Sequence, residues 1–106
     1  MTTYVLNSPI LTGFGDWCYS GPISIDQAKR LLDKGFVSAI GHQGTAELLS
    51  ALLEQEIPCD RKAVELAPGD RALVFRLLER LPEGLVLDAR SLSERKYMLC
   101  LLERVS

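Results

Sequence analysis

The sequence predicts an α/β chain of the α+β kind, a compact single domain over residues 1–106 with a mixed β-sheet of about five strands flanked by helices. Short apolar runs bounded by Gly, Pro and Asn recur along it, as strands require. Two segments instead repeat their apolar residues at helical spacing, and one of them opens on a capping box. Strand-like and helix-like segments alternate early and strands dominate late, the order of a mixed sheet carrying helices.

Tyr4-Val5-Leu6 reads as the first strand, ended by Asn7-Ser8-Pro9. Residues 9–22 hold the turn formers Gly13, Gly15, Asp16 and Gly21, yet also Phe14, Trp17 and Tyr19. So aromatic a loop either packs its rings or folds over a ligand. Phe14 is expected in the core, and the glycine flanks leave Trp17 or Tyr19 available as a mobile cover. Ser24-Ile25-Asp26-Gln27 has the capping-box spacing; Ile25, Ala28, Leu31 and Leu32 form the apolar stripe, and Gly35 supplies the stop. Phe36 to Ile40 reads as a central strand. A second helix is expected from about Gly44 to Gln55, with Leu48, Leu49, Leu52 and Leu53 inward and Pro58 preventing continuation. Arg61 to Ala67 and Arg71 to Leu78 flank Pro68-Gly69-Asp70 and read as a hairpin, in which Leu73, Phe75 and Leu77 alternate with Ala72, Val74 and Arg76. Arg80 to Gly84 makes another turn, Ala89 to Lys96 a short helix, and Tyr97 to Val105 a last apolar strand.

Composition narrows the function. Apolar residues make up 47% and charged residues 25%, an ordinary globular balance, and a net charge of -2 argues against coating long nucleic acid. It leaves room for a small anion held by a few local arginines. Cys18, Cys59 and Cys100 are odd in number and lack a Cys-x-x-Cys pair, so neither a disulfide framework nor a zinc site fits. The start lacks a basic n-region and no segment reaches membrane-spanning length. A soluble cytoplasmic protein with no membrane partner and no cofactor is the expectation.

The chain holds one histidine, in Ser38-Ala39-Ile40-Gly41-His42-Gln43-Gly44-Thr45, where an apolar run gives way to a helical pattern. Glycines let backbone approach a ligand closely, and a helix start offers unpaired N–H groups to an anion. On one reading a phosphate sits at Gly41, Gly44 and Thr45 with His42 beside it as proton donor; on the other, His42 is an exposed turn residue. Arg80-x-x-Glu83 across Pro82 could neutralise charge on a phosphorane and orient a hydroxyl, or be an exposed ion pair. Arg61 and Arg76, on neighbouring strands of the inferred hairpin, would add positive charge to one face or serve solubility alone. A lone His42 cannot make a histidine-rich metal site, and no Ser-His-Asp pattern, Walker loop or dinucleotide fingerprint occurs.

Taken in order, the early Tyr-x-Leu-Asn strand, Ser38-Ala39-Ile40-Gly41-His42-x-x-Thr45, Asp60-Arg61, Gly69-Asp70-x-Ala72-Leu73-Val74-Phe75 and Arg80-Leu81-x-Glu83-Gly84 resemble the viral-type ring nucleases. These are small anti-CRISPR proteins of archaeal viruses and bacteriophages, with bacterial chromosomal relatives. The resemblance covers nearly the whole chain. It implies a homodimer that binds cyclic tetra-adenylate, the second messenger of type III CRISPR defence, and cleaves it without metal to linear di-adenylate ending in 2′,3′-cyclic phosphate. By position, His42 matches the family's general acid, Arg80 and Glu83 its catalytic-site arginine and glutamate, Arg61 a ligand-binding arginine, and Asn7 the asparagine ending the first strand. Ser8 and Arg76 join the expected substrate-binding set.

Such chemistry suits what the residues offer. The ribose 2′-hydroxyl is the nucleophile, so the protein need supply only in-line geometry, charge stabilisation and a proton for the 5′-oxygen. Two alternatives remain: a sponge or sensor that holds a cyclic oligonucleotide without cutting it, and a protein–protein adaptor.

Overall fold

Arg71–Leu77 alternates as a strand should, yet Ala72, Leu73, Val74 and Phe75 are all buried. A strand covered on both faces belongs in a sheet interior. The computed structural model, which describes residues 1–78 and 97–106, places it there. The strands are β1 (Thr3–Leu6), β2 (Trp17–Ser20), β3 (Val37–Ser38), β4 (Arg71–Leu77) and β5 (Tyr97–Arg104); the helices are α1 (Ile25–Leu32) and α2 (Gln43–Leu53). They form one five-stranded mixed sheet in the order β2-β5-β4-β1-β3. β1 runs parallel to β3 and β4, while β5 is antiparallel to β4 and β2. The α+β class, a mixed sheet of five strands and helices packed on it are as the sequence predicts, although one of the five strands is not the one expected.

Both helices pack on one face. Ala28 and Leu32 of α1 and Ala46, Leu48, Leu49 and Leu53 of α2 meet Val5, Leu73, Phe75 and Leu99 of the sheet, and Phe75 stacks on Tyr97 with centroids 5.3 Å apart. α1 begins as expected: Ser24 Oγ accepts from Gln27 N at 3.1 Å and Gln27 Oε1 accepts from Ser24 N at 2.9 Å. Gly35, at φ +107, turns the chain out of α1.

The other face carries Leu6, Ala39, Ala72, Val74, Cys100 and Leu102, with Leu66 buried on it and Val64 and Trp17 packed alongside. Here the expected hairpin fails. Arg61–Ala67 is no strand; it crosses this face as a strap, dropping Val64 and Leu66 onto the sheet while Arg61, Lys62, Ala63 and Glu65 stay exposed. Both edges of β4 are already taken by β1 and β5, so no edge remains for it. Arg61 and Arg76 are therefore not on neighbouring strands. The turn at Pro68-Gly69-Asp70 is real: Asp70 N donates to Ala67 O at 2.9 Å and Gly69 takes φ +93.

Other expectations also shift. The 9–22 segment contains β2, because β5 is long enough to offer a free edge to Trp17–Ser20. Phe14 is fully exposed, at 100%, and Trp17 is the ring that packs, with the Arg104 guanidinium 5.4 Å above it. The Phe36–Ile40 run yields an edge strand rather than a central one, its outer side closed by Asp60 N donating to Ile40 O at 2.9 Å. The turn expected at 80–84 and the short helix at 89–96 lie outside the described residues. Among the described residues no helix is long and apolar enough to cross a membrane.

Candidate functional site

Strands that run parallel deliver the loops after them to one end of the sheet, where ligand crevices form. Asn7 and Ser8 follow β1; Gly41 and His42 follow Ile40 and lead into α2. The strap then comes round the β3 edge, held by Ser38 Oγ donating to Pro58 O at 2.6 Å, and lays Arg61 and Lys62 at the same end. Between them is a cavity of about 360 Å³ lined by Asn7, Gly41, His42 and Arg61, with Lys62 and Ile10 among the remaining walls.

His42 is the N-cap of α2, with extended φ/ψ of -125° and 125°, and its carbonyl accepts from Ala46 N at 3.0 Å. Its imidazole makes no capping hydrogen bond and is exposed, so the ring is left to face the cavity it lines. The first turn of α2 carries no acidic side chain. No carboxylate of that turn offsets its leading N–H groups and positive helix end, which favours an anion there.

Gly41 is tied to Arg61. A Cβ at Gly41 would stand 3.2 Å from Arg61 Cγ and 3.6 Å from its Cβ and Cδ. The bare glycine lets the arginine stem lie against the backbone beside His42. Gly41→Ala should push that stem aside and weaken anion binding about five- to tenfold, roughly 1 kcal/mol, with little change in thermal stability. Isothermal titration alongside a melting curve checks this; unchanged affinity would detach Arg61 from the cavity.

The remaining sequence-predicted residues divide. Ser8 is exposed just after β1 and does not line the cavity. Gly44 and Thr45 are buried in the first turn of α2, so what they present is backbone N–H rather than side chain. Arg76 follows Ala72 and Val74 on the strap-covered face and lies towards the same end of the sheet, one strand over from β1, outside the cavity lining. There it faces Tyr19, whose phenol pKa is raised by burial and by the Cys100 thiol, against the lowering pull of Arg76. Arg80 and Glu83 lie outside the described residues; Leu77 and Tyr97, paired across β4 and β5, stand at the site's end of the sheet.

Sequence reasoning missed Lys62, Ile10 and Thr12. Lys62 pairs with Asp60 at 2.9 Å and faces the cavity next to Arg61, an adjacency visible in the sequence. Thr12 Oγ1 accepts from Leu66 N at 3.0 Å, pinning the loop to the strap, and nothing local to either segment signals that contact. Among the described residues no three His, Cys, Asp or Glu side chains cluster closely enough to hold a metal ion.

Comparison with known proteins agrees with the fold. Residues 3–99 match the family described as STIV B116-like. The chain is 35% identical to "Uncharacterized protein 26" of Sulfolobus islandicus filamentous virus (isolate Iceland/Hveragerdi) over 97% of this chain and 92% of that one. It is also 35% identical to YddF of Bacillus subtilis (strain 168), covering 94% of both. The solved structure of B116 from Sulfolobus turreted icosahedral virus superposes with a TM-score of 0.74 at 21% identity, over 98% of this chain and 100% of that one.

Proposed function

Because this chain belongs to the STIV B116-like family, with both viral and bacterial relatives, we propose that the cavity at the start of α2 is the active site of a metal-independent ring nuclease for cyclic tetra-adenylate. The observation that supports this reading is the convergence of Asn7, Gly41, His42 and Arg61, distant in sequence, on one cavity at a helix start with no acidic side chain in its first turn.

In the proposed reaction a ribose 2′-hydroxyl attacks the adjacent phosphorus in line, its proton passing to water. The P–O5′ bond breaks and a 2′,3′-cyclic phosphate forms. His42 supplies the proton taken up by the departing 5′-oxygen. Arg61, Lys62 and the α2 N–H groups balance the charge on the phosphate, with Arg80 acting on the phosphorane and Glu83 orienting it. Asn7 contacts the ribose-phosphate chain. One acid per subunit suffices if a two-fold homodimer frames a two-fold symmetric ring, each His42 serving one of two opposite phosphodiesters.

The test is direct. Incubated with labelled cyclic tetra-adenylate in EDTA, the protein should yield di-adenylate with 2′,3′-cyclic phosphate ends. Uncut ring at stoichiometric enzyme overturns the enzymatic reading, and tight binding in that same experiment would favour a sponge or sensor.

A further inference from the structure

A second cavity, of about 340 Å³, lies against α1, lined by Ile23, Gln27, Arg30, Leu31, Arg71 and Leu101. Its size falls within the range of small-molecule sites, roughly 300–1,000 Å³. Arg71 opens β4 beside Thr3, so this cavity sits at the amino ends of the parallel strands, opposite the His42 cavity and sharing no residue with it.

Its chemistry is one-sided. Ile23, Leu31 and Leu101 give an apolar floor, each half-buried. Over it stand two guanidinium groups and an amide. Arg71 is half-buried, and its Nε donates to Thr3 Oγ1 at 3.3 Å. Glu103 lies directly across from Arg71 on β5 yet forms no ion pair with it, and neither Asp26 of α1 nor Asp33 at its C-cap forms one with Arg30. Among the described residues the ion pairs are Lys29–Glu54 and Lys62–Asp60, so neither arginine of this cavity is paired with a carboxylate of the described residues. The Gln27 oxygen is taken by Ser24 N, which leaves its amide N–H groups as the free end. The side chains that bound the cavity thus offer donors and positive charge above hydrocarbon, in a protein of net charge -2.

We infer that this cavity is a second ligand site, taking a small organic anion whose planar or tetrahedral oxyanion (carboxylate or phosphate) is clamped by Arg30 and Arg71 while its apolar body rests on Ile23, Leu31 and Leu101. Guanidinium forks match such oxyanions bidentately, and the apolar floor selects against a bare inorganic ion. The inference does not depend on what the His42 cavity does.

NMR titration of the full chain tests it, with benzoate, phenyl phosphate, inorganic phosphate and uncharged benzamide as probes. Benzoate or phenyl phosphate should shift the Leu31 and Leu101 methyl signals and the Arg30 and Arg71 Nε–H signals saturably, more strongly than inorganic phosphate, while benzamide leaves them unmoved. The tighter of the two aromatic anions names the headgroup. Arg30→Gln, at an exposed helix position that keeps the fold, should weaken binding about tenfold, and Arg71→Gln should do likewise. His42→Ala should leave it unchanged. Absence of a saturable shift from every anion, equal response to benzamide, parental affinity in Arg30→Gln, or loss of binding in His42→Ala would each overturn the site.

Discussion

His42→Ala is expected to slow single-turnover cleavage of cyclic tetra-adenylate by about 10²- to 10⁴-fold while leaving ring affinity within about threefold. The size of the effect follows from the proposed role: removing a group that protonates the leaving oxygen would forfeit general-acid catalysis, whereas the anion would still be held by Arg61 and the α2 amides. The substitution should be silent in folding, since the imidazole is exposed and makes no capping hydrogen bond. A melting curve superposable on the parent, together with rapid-quench kinetics and equilibrium binding, separates chemistry from structure. Cleavage undiminished in the variant would remove His42 from the mechanism; affinity lost in step with rate would make it a binding residue.

Asp70→Ala is expected to destabilise the fold by at least about 3 kcal/mol, since a hydrogen bond to a charged acceptor is typically worth about 1.5–3 kcal/mol and two are lost. Asp70 is 7% exposed. Its Oδ1 accepts from Thr2 N and its Oδ2 from Ala67 N, each at 2.8 Å. One carboxylate thereby joins the start of β1, the end of the strap and the start of β4. Its backbone carbonyl also accepts from Arg104 N at 3.0 Å, bringing in β5. Alanine strands the Thr2 and Ala67 N–H groups; asparagine keeps one acceptor and should recover about half of the loss. Urea denaturation should show the midpoint falling at constant slope. A change under about 1 kcal/mol for Asp70→Ala would mean that water replaces the carboxylate without penalty.

Much of the candidate site was legible because it is local. Gly41-His42 at a strand-to-helix junction needs only neighbouring residues to be recognised, and the Ser24–Gln27 capping box is of the same kind. Arg61 was legible as a charge but not as a neighbour of Gly41, since that contact depends on the strap rounding the β3 edge. The strap itself misled. Val64 and Leu66 alternate with exposed residues as a strand would, and period-two burial looks the same whether a segment lies within a sheet or across its face. Phe14 was misjudged for a related reason: hydrophobicity favours burial of any ring in the 9–22 loop, and only the register of β2 on β5 selects Trp17.

By itself, then, the sequence determined the features that close within a turn or two: the start of α1, the bend at Pro68-Gly69-Asp70, the alternation along β4 and the glycine-flanked histidine. Tertiary structure alone decided that β1 lies between β3 and β4, that the strap covers the sheet's second face, and that Asn7, His42, Arg61 and Lys62 share a cavity. Dihedral preference and hydrogen bonding over a few residues settle the former. The latter depend on which distant apolar surfaces and strand edges find each other, a competition among whole-chain arrangements that no short stretch of residues can resolve.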